Sequence, residues 1–338
     1  MCLLVLLALR CAGGAVPRRR VLGTALGTTG AAFGGAAFTG GACAALGDAS
    51  GPRRTFVVTG ASSGIGFAAA ADLASKGHRV CLACRDAATA AETAARIPGS
   101  CGAVCDLGDL ASVDAFADEM QNLGGVDGLL LIAGVDGVPR GSGIEPHFKI
   151  NYLGHALLAR RLLPQLRSRS GRVVTVSSEA MLDADLAAPG RLSGISASRG
   201  VAPHTAYANS KACCVLLADA LRTREPELAV SACALPGRCA TQIVRYELPQ
   251  RAKQRLAMSP DQVARQARLL GLRTAAEGAL LAVWLAESAD AAKMPQETLW
   301  LDAGVPATFQ APWRTDAFSK ELWDLTKEIL DKRHSLAV

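Results

Sequence analysis

From residue 54 onward, short apolar runs alternate with longer helix-forming stretches. The strand-like runs cover 54–59, 79–84, 102–105, 127–132, 172–177, 229–234 and 297–301. Helical stretches at 65–76, 86–96, 109–122, 149–168, 205–223 and 275–287 lie between them. Several runs are apolar without a break, the pattern of strands covered on both faces. Strict alternation of this kind implies right-handed crossovers and a parallel sheet. The expected architecture is a single doubly wound α/β domain with a parallel sheet of about seven strands, its ligand cleft lying beyond their carboxyl ends. At 338 residues the chain is long enough for one large core. Aromatics make up only 4% of it, so Ala, Leu and Val must fill that core.

The first expected strand runs into Thr59-Gly60-Ala61-Ser62-Ser63-Gly64-Ile65-Gly66, and an alanine-rich helix, Phe67 to Ala74, follows. Glycines at a strand-to-helix turn let the backbone approach a ligand and adopt φ > 0. The helix start adds free N–H groups and a positive dipole end, which suit a pyrophosphate. The spacing is Gly-x-x-x-Gly-x-Gly rather than Gly-x-Gly-x-x-Gly. An isolated glycine cluster is often an ordinary turn; a strand before it and a helix after it favour nucleotide binding.

Tyr207 and Lys211 stand four residues apart on an expected helix, about 150 residues downstream. Residues i and i+4 share a helix face, so phenol and ammonium meet at one site. A cation beside a phenol favours the phenolate and equips a tyrosine for proton exchange near neutral pH. The spacing alone also fits a solvated helix face. The upstream nucleotide turn is what favours the catalytic reading.

In this order the two motifs resemble the short-chain dehydrogenase/reductase family. Further matching pieces are Cys105-Asp106-Leu107, Ala133-Gly134 after an apolar run, Asn151-Tyr152-Leu153-Gly154-His155 opening a helix, Arg172 to Ser178, and Pro236-Gly237 with Thr241. The set spans roughly residues 54–245. Within the family the chain most resembles the retinol-dehydrogenase-like branch, in Ala83-Cys84-Arg85-Asp86, in Asn151 to His155, and from Ala276-Glu277-Gly278 through Leu322-Trp323.

The resemblance implies a Rossmann-type fold and hydride transfer between a nicotinamide cofactor and a hydrophobic alcohol or carbonyl compound. It implies that Tyr207 exchanges the proton, that Lys211 supports the ionised phenol and bonds the nicotinamide ribose, and that Ser178 holds the substrate oxygen, with Ser177 as the alternative. Asn151 matches the asparagine that links the lysine to solvent; a helix-start cap is its other reading. For the cofactor it implies Gly60, Ser62, Ser63, Gly64, Ile65 and Gly66 at the pyrophosphate, Asp106 and Leu107 at the adenine, and Ala133 and Gly134 at the adenosine ribose. Thr241 would bond the carboxamide, and Tyr207, Pro236 and Gly237 would also lie against the cofactor. Arg85 at the end of the second strand suits a 2′-phosphate and points to NADP over NAD, although Asp86 sits beside it. One departure stands out. Where most members carry two asparagines before the Ala-Gly pair, this chain has Leu131 and Ile132. The expectation is that the polar ties bracing that strand are lost. The motifs are also similar to light-dependent protochlorophyllide reductase, which makes a C=C reductase one alternative function, and a non-catalytic nucleotide-binding regulator is another.

The remaining features bound partners and location. The formal net charge is +6. Residues 1–50 hold Arg10, Arg18, Arg19 and Arg20 against Asp48, a net of +3, which leaves +3 for the rest. No basic stripe with interleaved aromatics suggests nucleic-acid binding. Residues 1–50 read as targeting sequence: a short apolar segment near Cys2 to Leu9, then Arg18-Arg19-Arg20 ahead of an uncharged Gly/Ala/Thr stretch. This resembles a signal peptide followed by a twin-arginine signal, as for a complex plastid; a single secretory or transit signal is the alternative. Residues 51–310 form the expected catalytic domain and 311–338 a helical extension. Phe318, Leu322, Trp323, Leu325, Ile329 and Leu330 fall at helical spacing over 317–333, compatible with membrane proximity. A homo-oligomer is also left open. Residues 179–204 and 246–275 are expected to contact substrate, the second as a lid. Of the 11 cysteines, Cys81 and Cys84 have metal-like spacing, but an odd separation on a strand turns them to opposite faces. No metal site is expected, and buried thiols in a reducing compartment are. Cys239, in the loop after Pro236-Gly237, is a candidate reactive thiol.

Overall fold

The computed structural model describes residues 53–139, 143–186, 201–241, 243, 269, 271–294, 298–302, 305–307 and 309–336. The expected targeting region, the stretch 187–200 and nearly all of the expected lid lie outside the described residues.

The strands are β1 (Thr55–Thr59), β2 (Arg79–Cys84), β3 (Ser100–Val104), β4 (Gly128–Leu131), β5 (Arg172–Val176), β6 (Val230–Ala234), β7 (Leu299–Asp302) and β8 (Val305–Pro306). The main helices are α1 (Gly64–Ser75), α2 (Ala87–Arg96), α3 (Leu110–Gln121), α4 (Gly154–Ser168), α5 (Pro203–Arg224), α6 (Ala275–Glu287), α7 (Ala289–Ala292) and α8 (Asp316–Leu336). The sheet order is β3-β2-β1-β4-β5-β6-β7-β8. It is parallel from β3 through β7, and β8 closes the edge antiparallel. The parallel part thus has the expected seven strands, and β8 adds an eighth at the edge. The two residues of β8 are too few to leave a periodic signal in the sequence.

Chain order reverses between β1 and β4, and such a switch point opens a crevice at the carboxyl ends of the strands. β1, β4, β5 and β6 are buried along their whole length, which explains their unbroken apolar runs. Their side chains feed two cores. One face holds Val57, Leu129, Val173 and Cys233 against α3, α4, α5 and α8. The other holds Phe56, Leu130, Val174 and Ala232 against α1 and α6. Cys81 belongs to the first core and Cys84 to the second, as odd spacing on a strand requires.

Local sequence sets the helix starts. Asp86 caps α2 by accepting from Thr89 N, and Asp109 caps α3 by accepting from Ala111 N. Thr274 and Glu277 form a reciprocal capping box on α6. Ahead of α4, residues Phe148–Leu153 form a π-helical turn where a continuous α-helix was expected. The C-terminal helix α8 docks on α5 and the π turn: Arg224 lies 5.2 Å from the Trp323 ring, and Tyr152 Oη is 2.7 Å from Thr326 Oγ1. Arg314 anchors the approach to α8 through Asp219 at 3.1 Å. Among the described residues no helix is long and apolar enough to cross a membrane.

Candidate active site

A cleft of about 1330 Å³ opens at the switch point. It is lined by Gly60, Ser62, Ser63, Gly64, Ile65 and Gly66 of the β1–α1 turn, and by Arg85 after β2. Asp106, Leu107, Ala133 and Gly134 line its next wall; Ser178, Tyr207, Lys211, Pro236, Gly237 and Thr241 line the far side. Six strand ends and the helix α5 thus bring together every expected site residue except Asn151, which lies fully buried behind the wall.

The glycine turn is shaped for a close ligand. Gly64 has φ +57°, a left-handed conformation that disfavours any side chain. A Cβ on Gly66 would lie 2.3 Å from the Gly60 carbonyl oxygen, so that position excludes a methyl on space alone. Ser63 starts α1 without a side-chain cap, which leaves the amides of the first turn for a ligand. Opposite, a Cβ on Gly134 would sit 3.1 Å from Lys211 Nζ and 3.6 Å from Asn151 Oδ1. The absent side chains leave a cradle consistent with a dinucleotide.

At the rim Arg85 is two-thirds exposed, its Nε 3.9 Å from Asp86 Oδ2. Asp86 is engaged elsewhere. Oδ1 accepts from Thr89 N at 2.8 Å and Oδ2 from Thr89 Oγ1 at 2.9 Å, and these Thr89 bonds hold its carboxyl below the usual range. Asp106 Oδ1 accepts from Gly108 N at 2.8 Å, a bond that shapes the turn after β3.

On the catalytic side Tyr207 and Lys211 share one face of α5, with Lys211 Nζ 5.8 Å from the phenol ring centroid. Both are buried except where they meet the cleft. Lys211 Nζ donates to the Val176 carbonyl at 3.2 Å. The two serines after β5 divide as strand alternation requires. Ser177 is buried and donates to the Lys211 carbonyl at 2.8 Å; Ser178 is half-buried, faces the cleft, and accepts from Ala180 N at 3.3 Å.

Asn151 is not a helix cap. It sits inside the π turn, where Oδ1 accepts from Val135 N at 2.8 Å and Nδ2 donates to Val135 O at 3.0 Å and Ser210 Oγ at 2.9 Å. Its carbonyl faces His155 Nδ1 at 2.9 Å and Cys214 Sγ at 3.3 Å. The side chain therefore ties the β4 end to α5. The expected loss of polar ties beside Leu131 and Ile132 does not occur either: Thr59 Oγ1 accepts from Ile132 N at 2.9 Å and Ala133 N at 3.1 Å, and β4 keeps its register with both neighbours.

The sequence reading missed Asp136 among the lining residues; Glu179 and His204, at the two ends of the 179–204 stretch expected to contact substrate, line the cleft too, though neither is singled out by the sequence reading. His204 precedes Tyr207 by one helical turn, a spacing that could have flagged it; its Nε2 lies 3.3 Å from Asp183 Oδ2. Cys239 lines the cleft, yet burial raises its thiol pKa, the reverse of what a reactive thiolate needs. Burial likewise pushes Cys105 and Cys233 up to about 12.

The short chain dehydrogenase profile matches residues 54–188. Human polyprenol dehydrogenase is 34% identical over 181 residues, 49% of this chain and 53% of that protein. Human retinol dehydrogenase 12 is 35% identical over 210 residues, 58% of this chain and 64% of that protein. The chain thus spans about half to two thirds of the length of these relatives. Among solved structures, an uncharacterized protein from Mycobacterium Paratuberculosis aligns with a TM-score of 0.60 and 27% identity, covering 85% of this chain and 96% of that one. Levodione reductase aligns at 0.55 with 22% identity over 74% of this chain and 96% of its own, a likeness of fold.

Proposed function

We propose, for a chain that belongs to the short-chain dehydrogenase/reductase family and its retinol-dehydrogenase-like branch, oxidation or reduction of a hydrophobic alcohol–carbonyl pair with NADP(H). The family is one of NAD(P)-dependent oxidoreductases; the cofactor preference and substrate class are our reading. One observation carries it: Ser178, Tyr207 and Lys211 converge on the cleft that the Gly60–Gly66 turn also lines.

The nicotinamide, when bound, supplies or accepts the hydride. This chain's residues do the rest. The Tyr207 phenol gives its proton to the carbonyl oxygen in reduction and takes it from the hydroxyl in oxidation. Ser178 donates a hydrogen bond to the same oxygen and fixes its direction. Lys211, backed by the Val176 carbonyl, places its ammonium beside the phenol and toward Gly134, where ribose hydroxyls would lie. Arg85 favours NADP because its guanidinium is exposed at the rim and only loosely paired with Asp86, whose carboxylate is taken up by Thr89 and the start of α2. The names of the polyprenol and retinol dehydrogenases support an apolar alcohol of that kind.

Purified full-length protein should oxidise such an alcohol, or reduce its aldehyde, with a change in NADPH absorbance. Tyr207→Phe should lower kcat by about a thousandfold, the middle of the range of acid–base contributions, and leave the NADPH Kd near its original value. Persisting turnover in this variant would remove Tyr207 from its role. Binding of NADPH without turnover of any such substrate by the parent protein would favour a non-catalytic nucleotide-binding protein.

A further inference from the structure

His155 is buried one turn beyond Asn151, on the first turn of α4. Its Nε2 lies 2.9 Å from Thr59 Oγ1 and its Nδ1 2.9 Å from the Asn151 carbonyl oxygen. These two contacts fix where the ring carries its proton. A carbonyl only accepts, so Nδ1 must bear the hydrogen. At the other end, Thr59 Oγ1 already receives two amide N–H groups, from Ile132 at 2.9 Å and Ala133 at 3.1 Å. A hydroxyl has two lone pairs and one hydrogen, so Thr59 must donate. Its options are the Leu130 carbonyl at 3.4 Å and His155 Nε2 at 2.9 Å. The shorter contact needs a bare Nε2. Both ends therefore demand one form, a neutral imidazole with its hydrogen on Nδ1.

The ring joins two parts of the cleft. Thr59 is the last residue of β1, next to Gly60 of the cofactor turn. Asn151 lies in the π turn and grips Val135 and Ser210, the residue beside Lys211. Leu131 and Ile132 offer no polar side chain between these parts.

We propose that His155 is a positioning residue: a neutral, Nδ1-protonated imidazole that ties the cofactor turn to the Asn151 π turn and so sets the distance from the Gly60–Gly66 cradle to Lys211. The part concerning the cofactor rests on the function proposed above. Burial works in the same direction, holding the ring's pKa down at about 3, with the nearby Lys211 ammonium adding to the effect and the Asn151 carbonyl opposing it. Protonation would also set a second N–H against the filled lone pairs of Thr59.

Two measurements test this. In ¹⁵N-histidine-labelled protein, the signal lost in His155→Gln should report an Nδ1–H tautomer that does not titrate between pH 8 and about pH 5, as the low pKa requires. An Nε2–H tautomer, or titration near the ordinary value, overturns the proposal. NADPH affinity is then compared across substitutions. His155→Phe fills the space without either hydrogen bond and should raise the NADPH Kd about tenfold, the scale of one lost buried hydrogen bond. His155→Gln keeps an acceptor for Thr59 and should recover part of that loss. If both variants lower the melting temperature and leave Kd untouched, His155 is a packing residue and the positioning role falls. Should His155→Phe fail to fold, the parent spectrum and the Gln variant decide. Parent protein that binds neither NADPH nor NADH removes the functional reading together with the positioning role, while the tautomer is still read from the same spectra.

Discussion

Gly64 and Gly66 lie two residues apart in the cofactor turn and are needed for different reasons, which separates their alanine variants sharply. Gly64 has φ +57°, but a Cβ there would meet nothing nearer than Thr241 carbons at 3.5 Å, an ordinary contact. Gly64→Ala therefore carries only the left-handed backbone penalty, about 1–2 kcal/mol. Gly66 lies within α1, where alanine is ordinarily better by about 1 kcal/mol. Its Cβ, however, would stand 2.3 Å from Gly60 O and 2.7 Å from Gly60 C. Reaching an ordinary contact requires the turn to open by about 1 Å, and the atoms that must move are backbone. Overpacking of this kind costs about 1–3 kcal/mol. The larger effect falls on the ligand, because a displacement of about 1 Å in a positioned site can cost a hundredfold. Gly66→Ala should raise the NADPH Kd about a hundredfold, whereas Gly64→Ala should stay within about fivefold, the equivalent of about 1 kcal/mol. Urea unfolding separates the stability losses, and fluorescence titration reads the affinities. A Gly66→Ala protein as stable as its parent with unchanged NADPH affinity would refute the steric argument, and so would a Gly64→Ala protein impaired more than Gly66→Ala.

Three further outcomes follow from the same geometry. Arg85→Ser should weaken NADPH binding at least about tenfold, as loss of a charge-assisted contact would, and leave NADH binding unchanged; equal losses for both cofactors would contradict the 2′-phosphate assignment. Arg314→Met strips Asp219 of its ion pair, with side chains 18% and 13% exposed. The loss should be about 2 kcal/mol in urea unfolding, below the fully buried range because solvent reaches the pair. His155 makes the native state sensitive to acid. Its folded pKa of about 3 lies below the ordinary 6.5, so between these values the unfolded chain holds a proton that the native state does not. The stability it confers is complete above about pH 6.5 and declines as pH falls toward 3, at up to about 1.4 kcal/mol per unit. Unfolding free energies at pH 7.5, 6.5 and 5.5 should fall less steeply in His155→Gln than in the parent; parallel slopes would remove His155 as a cause.

Sequence pattern located most strands because burial on both faces leaves an unbroken apolar signature, and β2 matches its expected 79–84 span. β3 starts at Ser100 rather than 102, since its ends follow pairing with β2, where Val80 meets Ser100, and pairing is a property of the partner. The site residues were legible as types and spacings. Their hydrogen-bond partners were not. Asn151 looks like a helix opener in sequence, but its bonds reach Val135 and Ser210, 16 and 59 positions away, and the π turn is the backbone form that lets it reach both. The doubt raised by Leu131 and Ile132 came from the missing amides at those two positions. The bracing instead uses a threonine 73 positions before Ile132, which no local pattern marks.

The chemistry also depends on the axial register of α5, and three buried hydroxyls set it. Ser177 Oγ donates to the Lys211 carbonyl at 2.8 Å, Thr175 Oγ1 to the Cys214 carbonyl at 3.0 Å, and Ser231 Oγ to the Ala218 carbonyl at 2.9 Å. Thr175 on β5 and Ser177 just past its end are two residues apart in extended chain and so face the same helix; the carbonyls at 211, 214 and 218 lie one turn apart along it. Helix carbonyls are already bonded within the helix, so each hydroxyl uses the second lone pair and leaves the helix intact. A one-residue slip of α5 would turn Tyr207 by about 100° and carry it about 1.5 Å along the axis, enough to remove the phenol from Ser178. Apolar packing alone tolerates small sliding, because it is non-directional. Directed hydrogen bonds at three successive turns do not. The hydroxyl of Ser177 thus complements that of Ser178: one faces the helix and holds the lysine in register, and its neighbour faces the cleft where the lysine acts.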